Sequence, residues 1–579
     1  MLKNLIICKD GFIIGGYTMK ILWSRYRNTG LIGIFFILLS FIFIFPLSRQ
    51  GIIYNGDDLY YHVLRINELA QNIQHGNLFP AINTYTFKQI GYPVNLFYPW
   101  VTLLPFGVFR VLISNQVTAI YAGFFFYTFV TLWITYIVGK RFSNSRLQAA
   151  IMAGIYVFSA YHVTDAFTRF ALGEYLAMSF VPLCFYGFYA IMYGDRRDWP
   201  FLAVGGMMVV LSHVLSAIII VTFLLFVWII SLYWVDNRLK RTLTLAFSGI
   251  VAFLGSSIFI LPFLEQELFQ KFKQPSPQPL VPDDFNNMLS ASFSNNLNRV
   301  LDGNHYNIGF LLICSVLLGV VVFNKFDVKY RLIYLVGVGS FLVTSNLFPW
   351  NLVQNSALNI IQFPFRLLII PTFLLSIVAS KIILLVADNY GGVAGDVRKR
   401  SIIVLLTFLL LGALPYLASM YKFTQGKTAN THIYTPDTTT KLAEEQNLYL
   451  DQYTPAKGLP SLNDVKNHIA IINGKKVQIK KIFSAPNTLT FNDSIIKRAS
   501  SIDLPIFYYK NLQVYRNGKQ IVAKKSTRGT VKVISAVKGP VTVKYIFSKL
   551  DKLGIIISLL TWGTLIVYGI FIKSRKQRF

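Results

Sequence analysis

Apolar runs of roughly 20 residues recur along the chain, separated by short polar stretches in which Lys and Arg cluster. A run of that length is what an α-helix needs to cross the hydrocarbon core of a bilayer. The first run, about 31–47, follows Lys20, Arg25 and Arg27, so its start is expected in the cytoplasm by the positive-inside rule. Later runs fall near 117–138, 147–161, 175–192, 243–263, 306–323, 332–350, 365–387, 402–421 and 553–572, and the long run 200–234 reads as two short spans folded near Ser212 to Ser216. The stretch 95–113 carries Pro99, Trp100 and Pro105 among polar breaks, and it reads as a helix lying at the outer interface. Were it a span, Lys140, Arg141 and Arg146 would lie outside and every later basic cluster would invert. Without it there are twelve spans and both termini are cytoplasmic.

The segment from 422 to 551 has a different rhythm. Ile471-Ile472-Asn473-Gly474-Lys475-Lys476-Val477 and Val514-Tyr515-Arg516-Asn517-Gly518-Lys519-Gln520-Ile521 place Asn-Gly between alternating residues, the strongest short hairpin signal. Residues 530–535 and 541–547 also alternate, around a Lys538-Gly539-Pro540 turn. The expected organisation is a basic cytoplasmic N-terminus (1–30), a transmembrane domain (31–421) with a first outer loop at 48–116, an extracytoplasmic β-sandwich (422–551), and a last transmembrane helix with a basic tail (552–579). Met19, just ahead of the first basic cluster, is an alternative start to Met1.

Composition agrees. The chain has 579 residues, is 54% hydrophobic and carries a formal charge of +30. No soluble protein of this size hides that much apolar surface. The excess Lys and Arg lie between apolar runs, where topology demands them, so nucleic acid is not a partner. Cys8, Cys184 and Cys314 form neither a disulfide framework nor a metal-ligand spacing.

Chemistry-bearing residues collect on the outward side of this topology. Asn55-Gly56-Asp57-Asp58-Leu59-Tyr60-Tyr61-His62-Val63-Leu64-Arg65 follows the first span; as a helix from Asp58, it sets Asp58, His62 and Arg65 on one face. Asp165, Arg169 and Glu174 lie at the outer mouth of the third and fourth spans, Ser212-His213 at the fold between the fifth and sixth, and Gln362-Phe363-Pro364-Phe365-Arg366 at the start of the tenth. Glu265 and Glu267, then a Pro-rich loop with Asp283 and Asp284, make a fifth group. Each has a plainer reading. An Asp after Gly56 caps a helix, Arg169 and Glu174 form a structural ion pair, His213 bonds a helix end, and Arg366 snorkels to headgroups. A transporter would instead hold ionisable groups near the midplane. Outward acids and arginines above an apolar bundle suit a substrate with its tail in the membrane and its charged head above.

These residues resemble the GT-C superfamily of membrane glycosyltransferases, with Asp-Asp after the first span and amphipathic helices in the first outer loop. Asn55–Ile66, Gly91–Trp100, Arg169–Glu174 and Gln362–Arg366 are more closely similar to YfhO-like bacterial membrane proteins, a family often labelled as 6-pyruvoyl-tetrahydropterin synthase-related. No zinc-histidine spacing supports pterin chemistry. The resemblance implies a bacterial cell-membrane enzyme moving a sugar from a polyprenyl-phosphate donor to a cell-envelope acceptor (polysaccharide, teichoic acid or glycolipid). Under it Asp58, with Asp57 close behind, is the catalytic base, and His62, Arg65, Arg169, Glu174, His213, Gln362 and Arg366 bind substrate or phosphate. Adjacent Asp-Asp departs from the Asp-x-Asp of metal-using relatives, which leaves a divalent cation open. The rival readings are a flippase of lipid-linked glycans and a non-catalytic envelope-binding protein.

Overall fold

A computed structural model describes residues 11–275, 278–297, 305–390, 397–425, 433–435 and 449–576. Met1, Cys8, Pro277 and the last tail residue lie outside them. Each apolar run read as a span is helical. Among the described residues seven helices are long and apolar enough to cross a membrane: Thr29–Ser48, Gln116–Ser143, Leu172–Tyr193, Val214–Ser231, Pro364–Asp388, Lys399–Gln425 and Lys549–Ile570. Two bent pairs raise the number to nine: Arg146–Val157 with Ala160–Thr168, turned by 50°, and Arg238–Gly255 with Ser257–Phe269, turned by 75°. Serines mark both breaks. Ser159 is extended (φ −63°, ψ 144°) and its hydroxyl donates to the Tyr156 carbonyl, while Ser256 donates to Ala252. The other expected spans are the shorter helices Pro200–Val210, Phe310–Val321 and Val328–Val343. They are shorter than the roughly 20 residues a perpendicular crossing takes, so length and composition alone do not make them spans. The break between Pro200–Val210 and Val214–Ser231 falls at 211–213, inside the expected fold.

The stretch 95–113 is Val94–Phe97, Val101–Leu103 and Leu104–Leu112, too short to cross. It belongs to a connection, residues 49–115, built around one buried carboxylate. Glu68 lies on the helix Leu59–Gln74 and accepts from the amides of Thr84 (2.8 Å), Tyr85 (3.0 Å) and Thr86 (2.8 Å), and from the Thr86 hydroxyl (3.0 Å). Burial raises its carboxyl pKa, and those hydrogen bonds pull it back.

The C-terminal sheets are antiparallel. One runs in the order 523–525, 530–534, 501–507, 469–472, 475–478, and the other 482–485, 488–491, 541–545, 512–516, 519–521. Asn473-Gly474 and Asn517-Gly518 turn two hairpins with all four residues at positive φ, as their side chains allow. The strands Thr530–Ile534 and Val541–Tyr545 do not pair with each other. The 535–540 connection carries the chain from one sheet to the other, so that Val531 and Val533 share an interior with Val541 and Val543. Inward residues of both sheets join one hydrophobic core with Ile82, Phe87, Tyr92 and Leu96 of the 49–115 connection. Gly91 (φ +66°) makes this possible, because a Cβ there would lie 2.6 Å from Ile506 Cδ1. Tyr92 donates to the carbonyls of Tyr449 (3.0 Å) and Gln452 (2.9 Å), and Asn487 accepts from the Ala81 amide (2.7 Å). The sandwich is therefore seated on the connection.

Glu68→Ala leaves three amides, two of them buried, without an acceptor and is expected to cost about 3 kcal/mol of stability. Thermal unfolding of the detergent-purified protein reads this, and an unchanged melting temperature would refute the anchoring role.

Candidate active site

The turn before Leu59–Gln74 lies directly on the backbone of Arg169. A Cβ on Gly56 would sit 2.6 Å from both the carbonyl carbon and oxygen of Arg169, so only glycine permits the approach. The Asp58 amide donates to that carbonyl at 3.3 Å. Asp58 occupies the N-cap position, yet its carboxylate caps no amide. The plain capping reading therefore fails for its side chain, which makes no hydrogen bond among the described residues. Burial pushes the Asp58 carboxyl up to about 6, against the pull of Arg169 and with further push from Asp57; Arg366 and Glu174 add smaller opposing effects.

Arg169 is presented by a π-turn: its amide donates to Thr164, five residues back, at 2.8 Å. Phe170, at φ +54°, then reverses the chain into Leu172–Met178. The guanidinium is 2.8 Å from Asp165 Oδ1 and 2.7 Å from Glu174 Oε2 through Nη1, and its Nε is 3.9 Å from Asp57 Oδ2. Glu174 also accepts from the Tyr161 hydroxyl and lies 3.8 Å from Arg366 Nε. Arg366 is held from below by a strained turn. Gln362 has φ +65° and ψ −45°, with the Phe363 amide donating to Ile361 at 2.8 Å, a γ-turn that non-glycine residues rarely adopt. Arg366 Nη1 donates to Gln362 Oε1 (2.6 Å) and to the Ile361 carbonyl (3.2 Å). The Phe365 ring lies between Arg169, whose Cζ is 4.9 Å from its centroid, and Tyr306, stacked at 3.5 Å.

His62 is buried against Tyr61, Tyr98 and Phe170, with no hydrogen-bond partner on Nδ1 among the described residues. His213 caps the helix Val214–Ser231 through Nδ1, which lies 2.8 Å from the Ser216 hydroxyl, and its ring lies 5.8 Å from that of Tyr98. Burial holds His213 down at about 3, with Glu174 pulling upward and Arg366, Arg169 and Arg65 pushing down. His62 is held well below its ordinary value by burial and by Arg65. Both are neutral near pH 7.

Asp57, Asp58, His62, Arg169, Glu174, His213, Gln362 and Arg366 thus meet at one end of the bundle. Asp58 stands at the N-cap of the helix that carries His62 and Arg65, and the Arg65 guanidinium is taken up by backbone carbonyls. Arg65 is 2% exposed and donates to the carbonyls of Pro99 (2.6 Å) and Tyr98 (3.4 Å). Glu265 departs altogether, bonding Asn511 and Ser548 of the sandwich. Sequence reading assigned no role to Tyr98, Tyr161 or Tyr449. Tyr449 comes from the segment leading into the sandwich and donates to the Asp57 carbonyl at 3.4 Å. The only signal for Tyr98 was its place in the Tyr98-Pro99-Trp100 string.

Among the described residues no three His, Cys, Asp or Glu side chains gather as a metal site needs. Glu174 is already bound by two arginines and a tyrosine, which leaves Asp57 and Asp58 as the carboxylates a divalent cation would have to use together with a substrate phosphate.

No family model matches the chain. An uncharacterized protein of Lactococcus lactis subsp. cremoris (strain MG1363) is 21% identical, over 94% of this chain and 96% of its own length. Among solved structures, the chain is similar to the mycobacterial arabinofuranosyltransferase AftD with a TM-score of 0.41 and 14% identity, over 68% of this chain and 27% of that one. It thus spans about a quarter of that enzyme's length. It is also similar to ArnT from Cupriavidus metallidurans, solved bound to undecaprenyl phosphate, with a TM-score of 0.31, 12% identity, and coverage of 76% and 80%.

The raised carboxyl is directly testable. Infrared difference spectra between pH 4.5 and 7.5 are expected to show a carboxylic-acid band that titrates near 6 and is missing in Asp58→Asn. Identical spectra from the two proteins would contradict the assignment.

Proposed function

We propose that this chain is a multi-pass glycosyltransferase of the GT-C type, acting at the outer face of a bacterial cell membrane. It transfers a sugar from a polyprenyl phosphate to a cell-envelope acceptor. The observation that carries the reading is a buried carboxyl group that caps no amide of its helix, is pushed up to about 6 by burial, and stands near Arg366 and the Arg169–Glu174 pair at one end of an apolar bundle. A lipid-borne substrate would keep its chain in the bilayer and bring its phosphate to that end. The basic clusters between the apolar runs put that end outside, and the sequence resemblance supplies the reaction class.

In the proposed step Asp58 takes the proton of an acceptor hydroxyl as its oxygen bonds to the anomeric carbon. The bond from that carbon to the phosphate oxygen breaks, and the electron pair leaves with the lipid phosphate, which gains one negative charge. A base with a pKa near 6 is ionised at pH 7 and still close enough in basicity to share the proton in the transition state. Arg366 takes the phosphate: its Nε is buried, makes no hydrogen bond among the described residues and lies 3.8 Å from Glu174, whereas Nη1 is engaged by Gln362. Arg169, enclosed by Asp165 and Glu174, orients the acidic group that Arg366 leans on. Glu174 is a positioning residue in this scheme, and neutral His62 and His213 close the site without adding charge.

Envelope glycans from a deletion strain are expected to lack a sugar that the wild-type gene restores and Asp58→Asn does not, with both proteins equally abundant in the membrane. Full restoration by Asp58→Asn and by Asp57→Asn would sink the base assignment. Vesicles in which the purified protein moves a labelled glycolipid unaltered would favour the flippase. With that sugar known, kcat/KM for transfer in isolated membranes should fall about tenfold per pH unit below about 6, because the base is then protonated. A flat profile from pH 7 down to 4.5 would exclude Asp58 as the base.

A further inference from the structure

Arg65 presents a physical problem that the proposed function leaves unsolved. It is a buried guanidinium with no carboxylate within ion-pair distance among the described residues, and its Nε makes no hydrogen bond. Removing a cation from water without an anion is expensive, so a helix would not carry one there without a use for it. The side-chain hydrogen bonds of Arg65 go to one dipeptide: Nη2 donates to the Pro99 and Tyr98 carbonyls, and Cζ lies 4.1 Å from the centroid of the Tyr98 ring and 5.9 Å from that of Tyr61. The guanidinium thus clamps Tyr98 from its backbone and from its ring face at once.

The clamp aims the Tyr98 hydroxyl into the site. That oxygen lies over Gly173, where any Cβ would collide with it, immediately before Glu174. The ring is flanked by His62 at 5.9 Å and His213 at 5.8 Å. The hydroxyl makes no hydrogen bond among the described residues, and the side chain is only part-buried. Asp58 and Arg366 are among its charged neighbours.

We infer that the Tyr98 hydroxyl is a donor for a non-bridging oxygen of the lipid phosphate, and that Arg65 is the positioning residue that locks it there. This rests on the proposed function and assigns a ligand contact within it. A phenol backed by a cation on its ring is a strong donor matched to a charged acceptor. It also gives the buried charge of Arg65 an anion to act on, one phenol ring away. Gly173 has no side chain to meet the hydroxyl, which leaves this proton to the ligand.

The test is binding of undecaprenyl phosphate to the full-length, detergent-purified protein, with a melting temperature recorded for each variant. Tyr98→Phe keeps the ring and the clamp and removes only the donor. It is expected to weaken binding about tenfold with an unchanged melting temperature. Arg65→Met is expected to lose a similar factor, Arg65→Lys to recover most of it, and Arg65→Met with Tyr98→Phe to lose no more than either alone. Wild-type affinity in Tyr98→Phe overturns the assignment and leaves the proposed function standing. Losses that multiply in the double variant overturn the positioning role of Arg65. No binding by the wild-type chain overturns the proposed function and this contact with it.

Discussion

One guanidinium holds the polar end of this molecule together. Arg169 gathers Asp165, Glu174 and, at longer range, Asp57, and through Glu174 it reaches Arg366 and Tyr161. Buried charges of this kind are tolerated only as a set, because removing one partner strands the others in a medium that cannot solvate them. The set therefore fixes the relative positions of three chain segments that lie far apart in sequence. The Arg169 carbonyl extends the same control to the backbone, since the Asp58 amide bonds to it and Gly56 lies flat on it. Asp58 stands beside this network, and its carboxyl makes no hydrogen bond among the described residues.

The surrounding architecture serves that arrangement. The connection at 49–115 is irregular along much of its length and could not hold a helix end in place unaided. Glu68 gathers it from within, and the sandwich supplies the other half of its core through Ile502, Leu504 and Ile506. Ile53–Tyr54 pairs with Ile433–Tyr434, and Tyr449 reaches the Asp57 carbonyl. The sheets are thus tied to the same short segment that carries the candidate base. This argues against an independent binding module on a tether.

What could be read from the chain follows from how local each determinant is. Long apolar helices, Asn-Gly hairpins and the helix that carries His62 and Arg65 depend on neighbours within a few residues, and they are in the structure. The meeting of Asp58 with Arg169 and Arg366 was inferred from topology alone, since nothing in the local sequence encodes it. The role of Arg65 was not legible, because its partners are the carbonyls of Tyr98 and Pro99, and every residue has a carbonyl. Glu265 looked like a site acid for a similar reason: its true partners, Asn511 and Ser548, lie more than 200 residues away in another layer. The strands at 530–534 and 541–545 have a period that suits a hairpin or a crossover equally well, and only packing across the sandwich decides between them.

The most direct trial of the account is a density map of the protein with a polyprenyl phosphate bound. The phosphate is expected at the polar end of the bundle, within hydrogen-bond reach of Arg366, with the Asp58 carboxyl facing the position a sugar would occupy. A phosphate held at the other end of the bundle, or midway along it with Asp58 remote, would contradict the account.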